Sequence, residues 1–135
     1  IEMLGVGQDN TLQETTDPLG SIGWYPDYGK PGGPGNSYFA GYSFFHGKPG
    51  PLRNLAKLEP GARIELIDAS GGIAQYAVVS LKRYDTKTMP FGDILFAKGR
   101  PGSAEWITLM TAGGELDSAT GNYLQYAVVV AERQR

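Results

Sequence analysis

The chain has 135 residues, 41% of them hydrophobic and 19% charged, and a formal net charge of −2. That length builds one domain with a real core, read here as residues 1–135, and is short for two. The composition excludes a disordered chain, and the charge gives no broad electrostatic reason to bind nucleic acid.

Cysteine is absent, so there is no disulfide, no thiolate metal site and no thiol chemistry. No stretch approaches the ~20 apolar residues that span a membrane, and no signal peptide is legible. The chain starts at Ile1, already inside an apolar run. The expectation is a soluble domain from which an N-terminal segment, able to carry a membrane anchor, has been removed.

Residues 1–6 read as a short strand, and residues 9–20 as a polar, turn-rich segment. Lys30-Pro31-Gly32-Gly33-Pro34-Gly35-Asn36 is expected to be a loop, because proline and glycine interrupt a ladder. Residues 37–45 are aromatic-rich and predict a strand. Leu52, Leu55 and Leu58, three apart behind Pro51, predict a short helix ended by Pro60-Gly61. Residues 63–68 and 73–83 predict two strands of a hairpin around Ser70-Gly71-Gly72. Residues 93–97 predict another short strand.

Arg100-Pro101-Gly102 turns the chain into a strand over 105–111, which is expected to end near Ala112 at a glycine-containing loop, 113–122. Residues 126–132 are a continuous apolar run that suits a strand buried on both faces. There is no internal repeat and no domain boundary. The 20 glycines and 9 prolines favour short elements and frequent turns. About eight short strands with one or two short helices predict an all-β, closed or nearly closed barrel.

Four segments, in this order, resemble the sortases, the cysteine transpeptidases of bacterial cell surfaces. The likeness is nearest to the types labelled class F and class E. Leu19-Gly20-Ser21-Ile22-Gly23-Trp24-Tyr25-Pro26 is similar to the family's G-W-Y segment. Gly35-Asn36-Ser37-Tyr38-Phe39-Ala40-Gly41-Tyr42 is similar to G-N-x-x-x-A-G-H. Leu55-Ala56-Lys57-Leu58-Glu59-Pro60-Gly61-Ala62-Arg63-Ile64 is similar to L-x-x-L-x-P-G-D-x-I. Thr108-Leu109-Met110-Thr111-Ala112-Gly113-Gly114, continuing through Asp117, Thr120, Gly121 and Tyr123, is similar to T-L-x-T-C-G-G-x-x-D-x-x-T-G-x-Y. The resemblance implies a sortase-like eight-stranded β-barrel. It also implies a mechanism in which a cysteine thiolate attacks the Thr–Gly bond of a sorting motif, a histidine moves protons and an arginine stabilises the oxyanion.

The departures fall on the chemistry. The family's nucleophile slot holds Ala112 and its histidine slot Tyr42. Its arginine slot falls on Leu124, Gln125 or Tyr126, with no arginine between Arg100 and Arg133. A substitution made in the laboratory to trap substrate would change the cysteine alone. Replacement of all three groups points to natural loss, and without a thiolate no acyl intermediate forms.

Thr108 and Thr111 carry hydroxyls but need an adjacent base to attack. By the two-residue period Thr108 shares a face with Met110 and Ala112, and Thr111 faces the other way. His46, the one histidine, lies four residues past the family slot and reads as an exposed loop residue. Tyr42 reads as filling the space left by the imidazole. The aromatic residues Trp24, Tyr25, Tyr28, Tyr38, Phe39, Phe44, Phe45 and Tyr126 read as core more than as a sugar platform. The aspartates have no metal-ligand spacing, and Gly113-Gly114 lacks the Lys-Ser/Thr of a phosphate loop. No cofactor or metal is expected.

The reading is therefore a catalytically inactive sortase-like domain, outside the cytoplasm and associated with the cell envelope, with a peptide-binding or structural role. Its groove candidates are Thr108, Thr111, Gly113, Gly114 and His46, and its partner is a surface-protein or sorting-motif-like peptide. The alternative is an active transpeptidase seen as a Cys-to-Ala variant. A purely structural barrel with no retained groove is the third.

Overall fold

β-Branched and aliphatic residues concentrate in two long runs near the C-terminus, and these form the centre of the sheet. The computed structural model describes residues 2–3, 17, 19–25, 35–45, 48–67, 70–95, 100–102, 104–116 and 123–134. In chain order its elements are β1 (Glu2–Met3), β2 (Gly23–Trp24), β3 (Gly35–Ala40), β4 (Phe44–Phe45), β5 (Lys48–Pro49), a 3-10 turn (Leu55–Lys57), β6 (Arg63–Ile67), β7 (Ile73–Asp85), helix α1 (Phe91–Leu95), β8 (Glu105–Leu116) and β9 (Tyr123–Gln134). Seven strands make one sheet in the order β1-β2-β3-β8-β9-β7-β6, and β4 and β5 form a separate hairpin. The large sheet curls into a half-barrel with almost no helix, so the all-β expectation holds. No helix among the described residues is long and apolar enough to cross a membrane.

β3 runs parallel to β8, whereas β8–β9, β9–β7 and β7–β6 are antiparallel. The two faces of these strands bury different residues. Phe39, Ile107, Leu109, Val129, Ala131, Tyr76 and Val78 pack on one side with Leu55. Tyr25, Tyr38, Met110 and Val128 pack on the other, with Tyr84, Met89, Ile94 and Tyr126 around them. Burial on both sides explains the unbroken apolar run in β9.

A bulge at Val79 lies between the pairs Val78↔Ala131 and Ser80↔Val130. It inserts one residue and changes the parity of β7. Leu81, opposite Val129, thereby joins Tyr76 and Val78 on the Phe39 side. Without the extra residue Ser80 and Lys82 would point there.

Several local expectations change. The helix expected over 51–58 is a turn followed by the 3-10 segment. Three-residue spacing suits that tighter geometry, in which positions i and i+3 eclipse, and Leu55 is buried while Leu52 and Leu58 pack beside it. The strand expected over 37–45 splits into β3 and β4. Gly35 and Asn36, expected in a loop, begin β3, with Gly35 at φ 91°, a conformation open to a residue without Cβ.

The strand expected over 93–97 is wrong for residues 93–95, which lie in α1. Pro90 supplies the carbonyl for the Ile94 amide, and Ile94 packs on the Tyr38–Met110 cluster. A short apolar run carries no period of its own, so tertiary contact decides its state. Residues 96–97 lie outside the described residues. The hairpin of β6 and β7 forms as expected, with Gly71 at φ 89° in its turn.

Candidate functional site

The strand carrying Ala112 does not end there. β8 continues to Leu116, with Ala112↔Tyr126, Gly113↔Gln125 and Leu116↔Tyr123 paired across to β9. The register shifts between Gly113 and Leu116. A bulge takes up the one extra residue of β8 and tolerates glycine inside a ladder, whereas a glycine pair taken alone reads as the start of a loop. Of the loop expected over 113–122, residues 113–116 are strand, and 117–122 lie outside the described residues, as does His46.

Residues directly opposite in an antiparallel pair share a face, with Cβ atoms ~4.5–5.5 Å apart. Tyr126 is therefore the residue of β9 that faces Ala112, Leu124 lies two positions along on the same face, and Gln125 points to the other. Tyr84 of β7 lies opposite Tyr126 in turn. The row Ala112–Tyr126–Tyr84 crosses three adjacent strands. Ala112, Tyr126 and Tyr84 are all half-buried, and both phenol rings rest on the cluster of Tyr25, Tyr38, Met110 and Val128.

Tyr42 approaches from the other side. β3 pairs in parallel with β8 up to Ala40↔Met110. The same register, continued two residues, brings Tyr42 level with Ala112. The Gly41 amide donates to the Met110 carbonyl at 3.2 Å, so the two segments remain together just beyond the ladder. The Ser43 hydroxyl donates to the Ala112 carbonyl at 2.6 Å. The chain then turns back: the Leu52 amide donates to the Tyr42 carbonyl at 3.0 Å and the Gly50 amide to the Ser43 carbonyl at 2.8 Å. A Cβ at Gly50 would collide with the Tyr42 carbonyl, so only glycine permits this approach.

The two threonines are placed on opposite faces, as their spacing requires. Thr108 is 1% exposed, and its hydroxyl donates to Asn36 Oδ1 at 2.8 Å. Thr111 is 4% exposed, and its hydroxyl donates to the Gly41 carbonyl at 2.8 Å. Neither donor is directed at a basic nitrogen, and deprotonation by such a base is what a hydroxyl nucleophile needs. On the same face as Thr108, the Tyr38 hydroxyl donates to Met110 Sδ at 3.2 Å. Among the described residues no group of three or more His, Cys, Asp or Glu side chains is arranged to hold a metal ion.

Reading the sequence missed Ser43 and Tyr84. Ser43 follows Tyr42 in the chain with no motif to mark it, and its partner is 69 residues away. Tyr84 reaches the row only because the Val79 bulge resets the register of β7.

The fold is thus a curled, half-barrel sheet in which the parallel pair β3 and β8 adjoins the antiparallel pair β8 and β9. The family model described as the sortase domain matches residues 3–134. The chain belongs to the sortase domain family.

Solved structures share this fold. Sortase C-1 from Actinomyces oris has a TM-score of 0.65 at 20% identity, covering 84% of this chain and 58% of its own. Sortase A from Corynebacterium diphtheriae has a TM-score of 0.68 at 17% identity, covering 98% of this chain and 59% of its own. The SrtA sortase from Actinomyces oris has a TM-score of 0.66 at 20% identity, covering 99% and 79% respectively. The chain thus spans less than two thirds of the length of the first two. No curated protein sequence matches it.

Proposed function

We propose that residues 1–135 form one catalytically silent sortase-like domain. It acts at the cell envelope, outside the cytoplasm, where it binds a sorting-motif-like peptide of a surface protein or serves as a structural module. The reading is supported by the chemistry at the row Ala112–Tyr126 and its neighbour Tyr42. In the family's mechanism this place calls for a thiolate, an imidazole and a guanidinium. A methyl group offers no electron pair to a carbonyl carbon, and a phenol is a weaker proton acceptor near neutral pH than an imidazole. The observation that carries the reading is the pairing Ala112↔Tyr126, which sets a phenol directly opposite the methyl group at the proposed nucleophile position.

Retention of a peptide site would need only the surface around this row. Catalysis would need all of the missing groups together, since residues that act as a unit are strongly non-additive. The test is a cleavage assay on peptides carrying a Thr–Gly sorting motif. The chain as it stands is expected to give no product above the uncatalysed rate. The combined variant Ala112→Cys, Tyr42→His and Tyr126→Arg is expected to form a thioester with the peptide, detected by intact mass. Cleavage by the unaltered chain would end the reading.

A further inference from the structure

We propose that Ser43 and Thr111 are positioning residues whose hydroxyls form a reciprocal clasp, holding the segment 41–43 on the segment 110–112 before any ligand arrives. β3 ends at Ala40, because the chain beyond it turns its Tyr42 and Ser43 carbonyls toward the amides of Leu52 and Gly50. From that point the backbone ladder with β8 cannot continue in both directions. Two carbonyls, Gly41 on one segment and Ala112 on the other, fall at the gap, where a half-buried acceptor without a donor is costly. Each is met by a hydroxyl from the opposite segment: Thr111 Oγ1 donates to the Gly41 carbonyl at 2.8 Å, and Ser43 Oγ donates to the Ala112 carbonyl at 2.6 Å.

Both hydroxyl residues are buried, Ser43 at 8% and Thr111 at 4% exposure, so water competes poorly for these carbonyls. The Gly41 amide bond to Met110, 3.2 Å, closes the β3 end of the same stretch, next to the Thr111 bond. The clasp spans the stretch where Tyr42 and Ala112 come level. It fixes the distance between these two positions through groups other than their own side chains, so the geometry of the site survives whatever residue stands at 42 or 112. The inference rests on these bonds and not on the silent-site reading, and the two can fail separately.

Amide hydrogen exchange on the whole chain tests it. Ser43→Ala and Thr111→Val are each expected to speed exchange of the Gly41 amide by about fivefold to tenfold, the effect of losing one hydrogen bond. Amides of Ile107 and Val129 in the core should exchange at their original rates. Ser43→Thr and Thr111→Ser keep a hydroxyl and should retain protection at Gly41. An unchanged rate at Gly41 in Ser43→Ala and Thr111→Val would overturn the proposal. So would an equal acceleration at Ile107 and Val129, which marks global destabilisation, or loss of protection in the variants that keep the hydroxyl. If Ser43→Ala or Thr111→Val fails to fold, the hydroxyl-retaining variants decide between the outcomes.

Discussion

The two faces of β3, β8 and β9 are built on different chemistry. Toward the Phe39 side the strands present Phe39, Ile107, Leu109, Val129 and Ala131. These side chains are apolar and gain their stability from close packing and removal from water. Toward the other side the same strands present Asn36, Tyr38, Thr108 and Met110, with side-chain hydrogen bonds between Thr108 and Asn36 and between Tyr38 and Met110. One face is stabilised by shape, the other by matched polar groups within an aromatic layer. The row Ala112–Tyr126–Tyr84 lies at the end of the second face. The difference shows how strands buried on both sides can still hold polar groups: on the second face Thr108 and Tyr38 donate to defined partners.

Substitutions on the two faces separate these contributions. Phe39→Ala removes a ring with no exposed surface and is expected to cost about 3–5 kcal/mol, read as a fall in the denaturant midpoint at constant slope. A loss under ~1 kcal/mol would mean that the Phe39 side is loosely packed and the contrast false. Thr108→Val preserves shape on the other face but removes the donor to Asn36 Oδ1. It is expected to cost about 1–3 kcal/mol, that of taking the donor away from a buried hydrogen bond. If it proves neutral, the polar pair contributes nothing to that face and shape governs both. Ala112→Cys adds one sulfur to a half-buried position and is expected to change stability by less than about 0.5 kcal/mol. A large loss there would show that the end of the face is as tightly filled as its centre.

The hairpin β6–β7 was legible because alternating residues flank Ser70-Gly71-Gly72, and the period and the turn agree. β9 was legible as an apolar run, although its extension to Tyr123 and Gln134 was not. The end of β8 was misplaced for a definite reason: Gly113-Gly114 signals a break in isolation, and only pairing with β9 reveals a bulge. Which of Leu124, Gln125 and Tyr126 lies opposite Ala112 was open for the same reason. A gap of unknown length in the segment before β9 leaves the register undefined, and cross-strand pairing supplies it.

What the amino-acid sequence determined by itself was local and chemical: an all-β chain, the family its four segments resemble, and the absence of sulfur, imidazole and guanidinium from the positions that resemblance marks. These follow from residue identity, order and spacing along the chain. The tertiary structure alone decided that Tyr126 faces Ala112, that residues 91–95 are helical, and that Ser43 and Thr111 join two segments far apart in the chain. Those outcomes depend on register and on contacts across many residues, where a shift of one position turns a side chain to the opposite face.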